Sequence, residues 1–241
     1  MTWKWLWVAP ALVAAGYGQT ESALTREGRY WVQTLTGTAS LEATARVRVS
    51  SRGAVTMQGE ERGDIAYSLK KRARVSSESS ARQLLSRVGL KVGQQGGWTT
   101  LASRFPAEND VSADLTLRVP RKLLEVELDS EGGSVEAFDL AGTLKAETGG
   151  GRVHIERIQG EVTIRTGGGD IVFGKIGRSV RCTSGGGSIT AESIGGEAAF
   201  NTGGGEIFVR EAAGAVRAST GGGNIRVERA GGPVTAATGG G

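Results

Sequence analysis

One histidine, one cysteine and a handful of nearby acids are the residues with which this chain could do chemistry. Any Cys–His or Ser–His nucleophile must use His154, and His154 with Cys182 cannot by themselves close a structural zinc site. Glu136, Asp139 and Glu156 lie close to His154 in the sequence. A polysaccharide-cleaving site needs two carboxylates about 5 to 9 Å apart on one face, so this group is the candidate for such a reaction. Calcium chemistry asks for a carboxylate in every turn. Here the corresponding position carries Asp170 once and otherwise Ser134, Arg152, Ser188, Glu206 and Asn224, which gives no oxygen cage. A phosphate loop is absent, because Gly174-Lys175 is followed by Ile176. No cofactor is implied.

The second chemical feature is a column of hydroxyls. Thr148, Thr166, Ser184, Thr202, Thr220 and Thr238 lie 18 residues apart, each followed by three glycines, and Ser130 precedes them by one period. Stacked hydroxyls before a glycine corner can satisfy the backbone groups of the turn. The alternative is that the array matches a repeating ligand such as a glycan or ice.

Positioning those residues requires a repeat architecture, and the period supplies it. Of 40 glycines in 241 residues, 29 fall between Asp129 and Gly241. Counting the hydroxyl residue as phase zero, phase five reads Val135, Val153, Ile171, Ile189, Ile207, Ile225. Phases seven, ten, fourteen and sixteen are apolar in all six periods as well. Apolar residues at phases five and seven, and again at fourteen and sixteen, alternate with polar neighbours. Each period is therefore two short strands joined by glycine-rich turns. Identical phases stack, so the expected fold is all-β: a parallel β-helix-like β-solenoid of 18-residue coils sharing one core. A meander of antiparallel hairpins is the alternative. Cys182 belongs to the inward phase sixteen and reads as a small buried hydrophobe. Asp139 and Arg157, and Glu211 and Arg229, are one period apart and can pair across rungs. Val172, Phe208 and Phe138 fall on outward phases as exposed apolar points.

Upstream of the array the period is lost. Alternation predicts strands over Leu41–Val49, Asp64–Val75, Leu90–Val92, Trp98–Phe105 and Leu115–Val119. Gly53 to Gly59 reads as a degenerate unit. Ser76-Ser77-Glu78 can cap a helix over 78–88, whose Ala81, Leu84, Leu85 and Val88 share one face. The sequence divides into a signal peptide (1–19), a strand-rich capping part with one helix (20–128) and the repeat solenoid (129–241). Lys4 followed by the apolar run Trp5–Ala15 is too short for a bilayer-spanning helix and reads as a secretory signal. No transmembrane helix is expected once it is removed, and the location is extracytoplasmic. The chain breaks off just after Thr238 opens a further coil, which suggests that the natural chain continues or that the edge meets a partner, including end-to-end self-association. The balance of 29 basic and 25 acidic residues, with no Lys/Arg block, argues against nucleic acid.

The segment Pro120-Arg-Lys-Leu-Leu-Glu-Val-Glu-Leu128, the Ser130-Glu-Gly-Gly-Ser-Val-Glu-Ala137 that follows and the Thr-Gly-Gly-Gly coils resemble the bacterial "putative adhesin" domain, a domain of unknown function, over roughly residues 40–241. The resemblance implies an exported protein of β-strand repeats that attaches to surfaces. Members found beside envelope-stress genes imply a scaffold role instead. The family brings no motif of binding residues. The expected function is a non-enzymatic adhesin presenting solenoid faces to a surface glycan or an envelope protein. A periplasmic envelope scaffold is the alternative, and a polysaccharide-acting enzyme stands behind both.

Overall fold

The computed structural model describes residues 18–106 and 110–241; the apolar run Trp5–Ala15 lies outside them, as does nearly all of the segment read as a signal. Strands make up 61 % of the described residues and helix 4 %, arranged as a β-solenoid of about six turns. The antiparallel meander is thereby excluded for the array. Val135–Leu140, Val153–Ile158, Ile171–Ile176, Ile189–Ile194, Ile207–Ala212 and Ile225–Ala230 stack in parallel in a twelve-stranded sheet. Glu125–Ser130, Thr143–Thr148, Val162–Thr166, Val180–Ser184, Ala198–Thr202, Val216–Thr220 and Val234–Thr238 do the same in a ten-stranded sheet. Partners are one period apart throughout: Val135 faces Val153, Val153 faces Ile171, and Val162 faces Val180. β-Branched residues dominate the inward positions because they pack well on a pleated surface. One coil cannot bury its own apolar face, so the stack supplies the burial, and one core cluster runs unbroken from Leu35 to Ala218.

That core extends below the array. Arg46–Ser51 and Val55–Glu60 form a rung directly under Glu125–Leu140, with Ser51 beside Ser130 and Val55 beside Val135. Trp98–Arg104 and Val111–Pro120 form another beneath that one. The order in space is therefore 98–120, then 46–60, then 125–140, which is not the order in sequence. The parallel stack is closed by antiparallel strands. Asp64–Ala73 and then Tyr30–Ser40 cover one sheet, and Gly89–Gln95 covers the other.

Two expectations shift here. The strand predicted over Leu41–Val49 starts only at Arg46, because residues 41–45 turn the corner, with Ala45 at φ 50. The helix, capped by Ser77 accepting from the Ser80 N–H as expected, runs Glu78–Leu85 and stops three residues early. Lys71 accounts for that end: fully buried, its Nζ donates to the carbonyls of Leu85 (3.2 Å) and Val88 (3.4 Å) and to Glu21 Oε1 (2.7 Å). A cation on the last carbonyls of a helix satisfies acceptors that have no helical partner. Ala81 and Leu85 pack on Ala73, against Leu24, Trp31 and Val75.

Candidate functional site

The hydroxyl column points inward. Thr148, Thr166, Ser184, Thr202 and Thr220 are buried, and only Thr238, on the last rung, is exposed. Thr148 Oγ1 donates to the Gly133 carbonyl of the rung below at 2.8 Å, and Thr202 and Thr220 repeat the bond to Gly187 and Gly205. Ser184 Oγ accepts from the N–H groups of Gly186 and Gly187. With those atoms committed to the corner backbone, the buried hydroxyls are not a surface for a glycan or ice. The phase-five column is core: Val135, Val153, Ile171, Ile189 and Ile207 are buried, and Ile225 is half-buried near the open end. Burial pushes the Cys182 thiol up to about 12, so it is a packed hydrophobe.

Ligand-accessible chemistry is therefore confined to the outer faces. On the twelve-stranded sheet the structure gathers the acids singled out around His154. Glu136 and His154 are cross-rung neighbours, and Phe138 meets the His154 ring edge-on at 5.3 Å. Glu136 Oε2 accepts from Thr56 Oγ1 at 3.4 Å. Glu156 lies 3.9 Å from His154 Nε2 and 3.6 Å from Arg157 Nη1. Its carboxylate is folded over Gly174, where a Cβ would come within 2.0 Å of it. Asp139 and Arg157 both adopt positive φ, 59° and 55°, and drop out of the ladder pairing that holds their neighbours. Asp139 then accepts two 2.8 Å bonds from Arg157 and one from Gln58 Nε2. Those bonds hold its carboxyl down at about 2. A general acid needs the opposite shift, so Asp139 is suited to be a fixed anionic acceptor. The expected Glu211–Arg229 pair is present as well, at 3.2 Å.

The ten-stranded face divides into two halves. Near the cap most of its charges pair, although Asp129, stacked beside Glu147, is raised by burial and by the neighbouring Glu147 and Glu131. Arg48 sits over Trp98 at 4.5 Å and pairs with Glu127 at 2.7 Å, and Lys145 pairs with Glu125 at 2.6 Å, which raises the lysine. Toward the C-terminal coils the face is arginine, small and amide residues. Arg181, Ala199 and Arg217 stack in one column, and the bare Ala199 between the two arginines opens a shallow depression of ≈ 330 Å³ also lined by Thr183, Asn201 and Ser219. Two rung spacings put the arginine stems about 9.6 Å apart. All three residues fall at phase fifteen of the repeat, and the order Arg-Ala-Arg down that column is the sequence signal that marks the depression. Of the apolar outward points, Val172, Phe208 and Phe138 are all half-buried, and Phe208 lies under Arg226 at 5.8 Å. Among the described residues there is no cluster of three metal-ligating side chains, and no helix is long and apolar enough to cross a membrane.

No family model and no curated protein matches the chain. Solved structures do. A protein from Bacteroides fragilis described as a "putative adhesin" is 15 % identical, with 85 % of this chain and 96 % of that one aligned at a TM-score of 0.50. A "putative adhesin" from Parabacteroides distasonis is 12 % identical over 85 % and 96 % of the two chains, at 0.42. A "putative lipid binding protein" from the same species is 12 % identical over 93 % and 97 %, at 0.41. At these identities the likeness is one of fold. The chain thus shares its overall fold with the Bacteroides fragilis protein.

Proposed function

We propose that the chain is an extracytoplasmic, non-enzymatic, adhesin-like protein whose rigid solenoid displays repeated weak contacts to a surface glycan. The observation that carries this reading is the unbroken rung register of the outer faces. Outward columns run through six coils with no inserted loop, and one of the two corner lines is a run of three glycines in every coil, so a long ligand can lie along the rod. The Arg181–Ala199–Arg217 column is the strongest candidate contact, because the guanidinium of Arg181 and that of Arg217, whose Nη1 lies 3.8 Å from Glu197, flank a floor without side-chain bulk and suit an anionic sugar. A single contact of this kind is weak, and repetition along one rod raises avidity without new chemistry.

Co-sedimentation with a panel of acidic and neutral polysaccharides tests the contact. Binding to an acidic polymer that falls at least tenfold in Arg181→Ala/Arg217→Ala supports it, and equal binding by wild type and variant removes this face from the proposal. Protease shaving of intact cells tests the display. Digestion on intact cells supports surface attachment, whereas protection until the envelope is opened favours the scaffold reading.

A further inference from the structure

On the solenoid most arginines answer a carboxylate on a neighbouring rung, as Arg48 answers Glu127, Arg157 answers Asp139 and Arg210 answers Glu192. The capping region breaks that habit at one cleft. Arg26, Arg29 and Arg74, with Val75 and Ser76, line a cavity of ≈ 390 Å³. Three nearby acids are taken by other cations, Glu27 by Lys70, Asp114 by Arg72 and Glu78 by Arg82, while the exposed Asp110 beside Arg74 is not among the residues that line the cleft. Among the described residues no ion pair engages any of the three guanidiniums.

The backbone holds these arginines in place. Arg26 and Arg29 flank Gly28, whose φ of +61° makes the turn between Thr25–Glu27 and Tyr30–Ser40. Arg26 is opposite Trp31, and Trp31 is opposite Ala73, so Arg74 emerges one residue beyond the same row. The Arg74 N–H is fixed on the Asp110 carbonyl at 2.8 Å. The Arg26 guanidinium lies 5.6 Å from the centre of the Trp31 ring, and its Nε donates to the Gly28 carbonyl at 3.4 Å. An aromatic face beneath a guanidinium restrains it at little cost to its hydrogen-bonding edge. Ser76 adds a hydroxyl, and Val75 a short apolar wall.

The side chains lining the cleft thus offer three guanidinium forks and a hydroxyl, with no carboxylate among them. Such a set matches a compact oxyanion with several acceptor oxygens and more than one charge. We propose that this cleft in the cap is a binding site for a phosphate or sulfate monoester. It is separate from the faces assigned to display and does not depend on that assignment. Phosphate chemistry of this kind reaches such a site either as a soluble ester or as the headgroup of an anionic lipid.

The test uses the full chain with three probes: inorganic phosphate, glucose 6-phosphate, and phosphatidylcholine vesicles containing phosphatidic acid. Calorimetric titration follows the soluble probes and sedimentation the vesicles. Saturable binding is expected to at least one probe, weakened about tenfold or more in Arg29→Ala/Arg74→Ala and unchanged in Arg178→Ala, which removes an exposed arginine elsewhere. Arg29→Lys/Arg74→Lys, which keeps the charge but loses the forks, falls between wild type and the alanine variant. All three arginines are exposed, and an unchanged melting temperature confirms that the variants are folded. Binding of glucose 6-phosphate assigns a soluble ester; binding confined to vesicles, and lost in the double alanine variant, assigns a lipid headgroup. No saturable binding to any probe, or equal weakening by Arg178→Ala, overturns the proposal.

Discussion

The six regular coils and the two rungs beneath them reach the same cross-section by different routes. In the regular coils each turn is laid on the one before it, and every contact partner is 18 residues away. In the lower rungs the partner of Ser51 is Ser130 and the partner of Val55 is Leu115, so pairing spans long excursions that build the cap. Yet both regions bury the same kind of columns: Val55, Met57 and Leu117 are as inaccessible as Ile171 and Phe173. A solenoid core constrains which residues face inward at each height, and it is indifferent to the order in which the chain supplies the rungs.

If the two regions form one cooperative core, large-to-small changes in either should unfold both. Phe173→Ala, which also removes the stack on Phe200 at 5.8 Å, is expected to cost about 4 kcal/mol, and Leu117→Ala about 3 kcal/mol. Urea unfolding followed by circular dichroism should show one transition moved by both changes. Two separate transitions, each moved by only one variant, would break the comparison into independent units. Next in size, Lys71→Ala strips the buried cation from Glu21 and from the helix end. It is expected to cost about 3 kcal/mol, whereas Lys71→Met should cost clearly less, because the loss is that of leaving partners unsatisfied.

The corners sharpen the parallel further. A Cβ on Gly187 would lie 1.9 Å from the Gly169 carbonyl, and one on Gly53 1.8 Å from that of Ala113. The regular and irregular rungs thus share a backbone contact that excludes any side chain. Gly187→Ala and Gly53→Ala are each expected to cost about 2 kcal/mol. Gly186→Ala, into open space, should stay within about 0.5 kcal/mol, and a matching loss there in thermal melts would show that sterics is not the reason.

The smallest effect lies where the two regions join at Gln58, Asp139 and Arg157. Asp139 has a folded pKa of about 2, below its ordinary value of 3.8, so its contribution is present above about pH 4 and fades as the pH falls toward 2. Because Arg157 is half exposed, that contribution is about 1 kcal/mol. Asp139→Asn should flatten the stability profile between pH 4 and 2, and an unchanged slope would show that the pair contributes nothing.

The array was legible because a uniform period turns a weak two-residue alternation into columns that can be read six times. The inward Cys182, the Asp139–Arg157 pair and the existence of the hydroxyl column follow from it, whereas the inward turn of those hydroxyls became visible only in the stacked corners. The lower rungs were not legible as coils. Ser51 and Val55 are four apart where Ser130 and Val135 are five, and no multiple of 18 separates Ser51 from Ser130. Gly53 to Gly59 still showed as a degenerate unit, since its glycine corner obeys the same close approach. Lys71 reads as a surface cation until the helix end closes over it. The cleft of Arg26, Arg29 and Arg74 is invisible in one dimension, because Arg74 lies 45 residues beyond Arg29.

The out-of-order stacking has a consequence in time. A chain emerging from its amino-terminal end presents rung 46–60 before rung 98–120 exists to support it, and neither edge of 46–60 can be paired until the chain has grown past the helix. Loop closure over such distances is slow compared with adding a coil 18 residues on. The commitment step of folding is therefore the seating of 98–120 under 46–60, after which Glu125–Leu140 finds a finished template and the remaining coils can zip upward in sequence. This makes the first half of the chain the part in need of protection from premature pairing, and the glycine-cornered half a rapid follower.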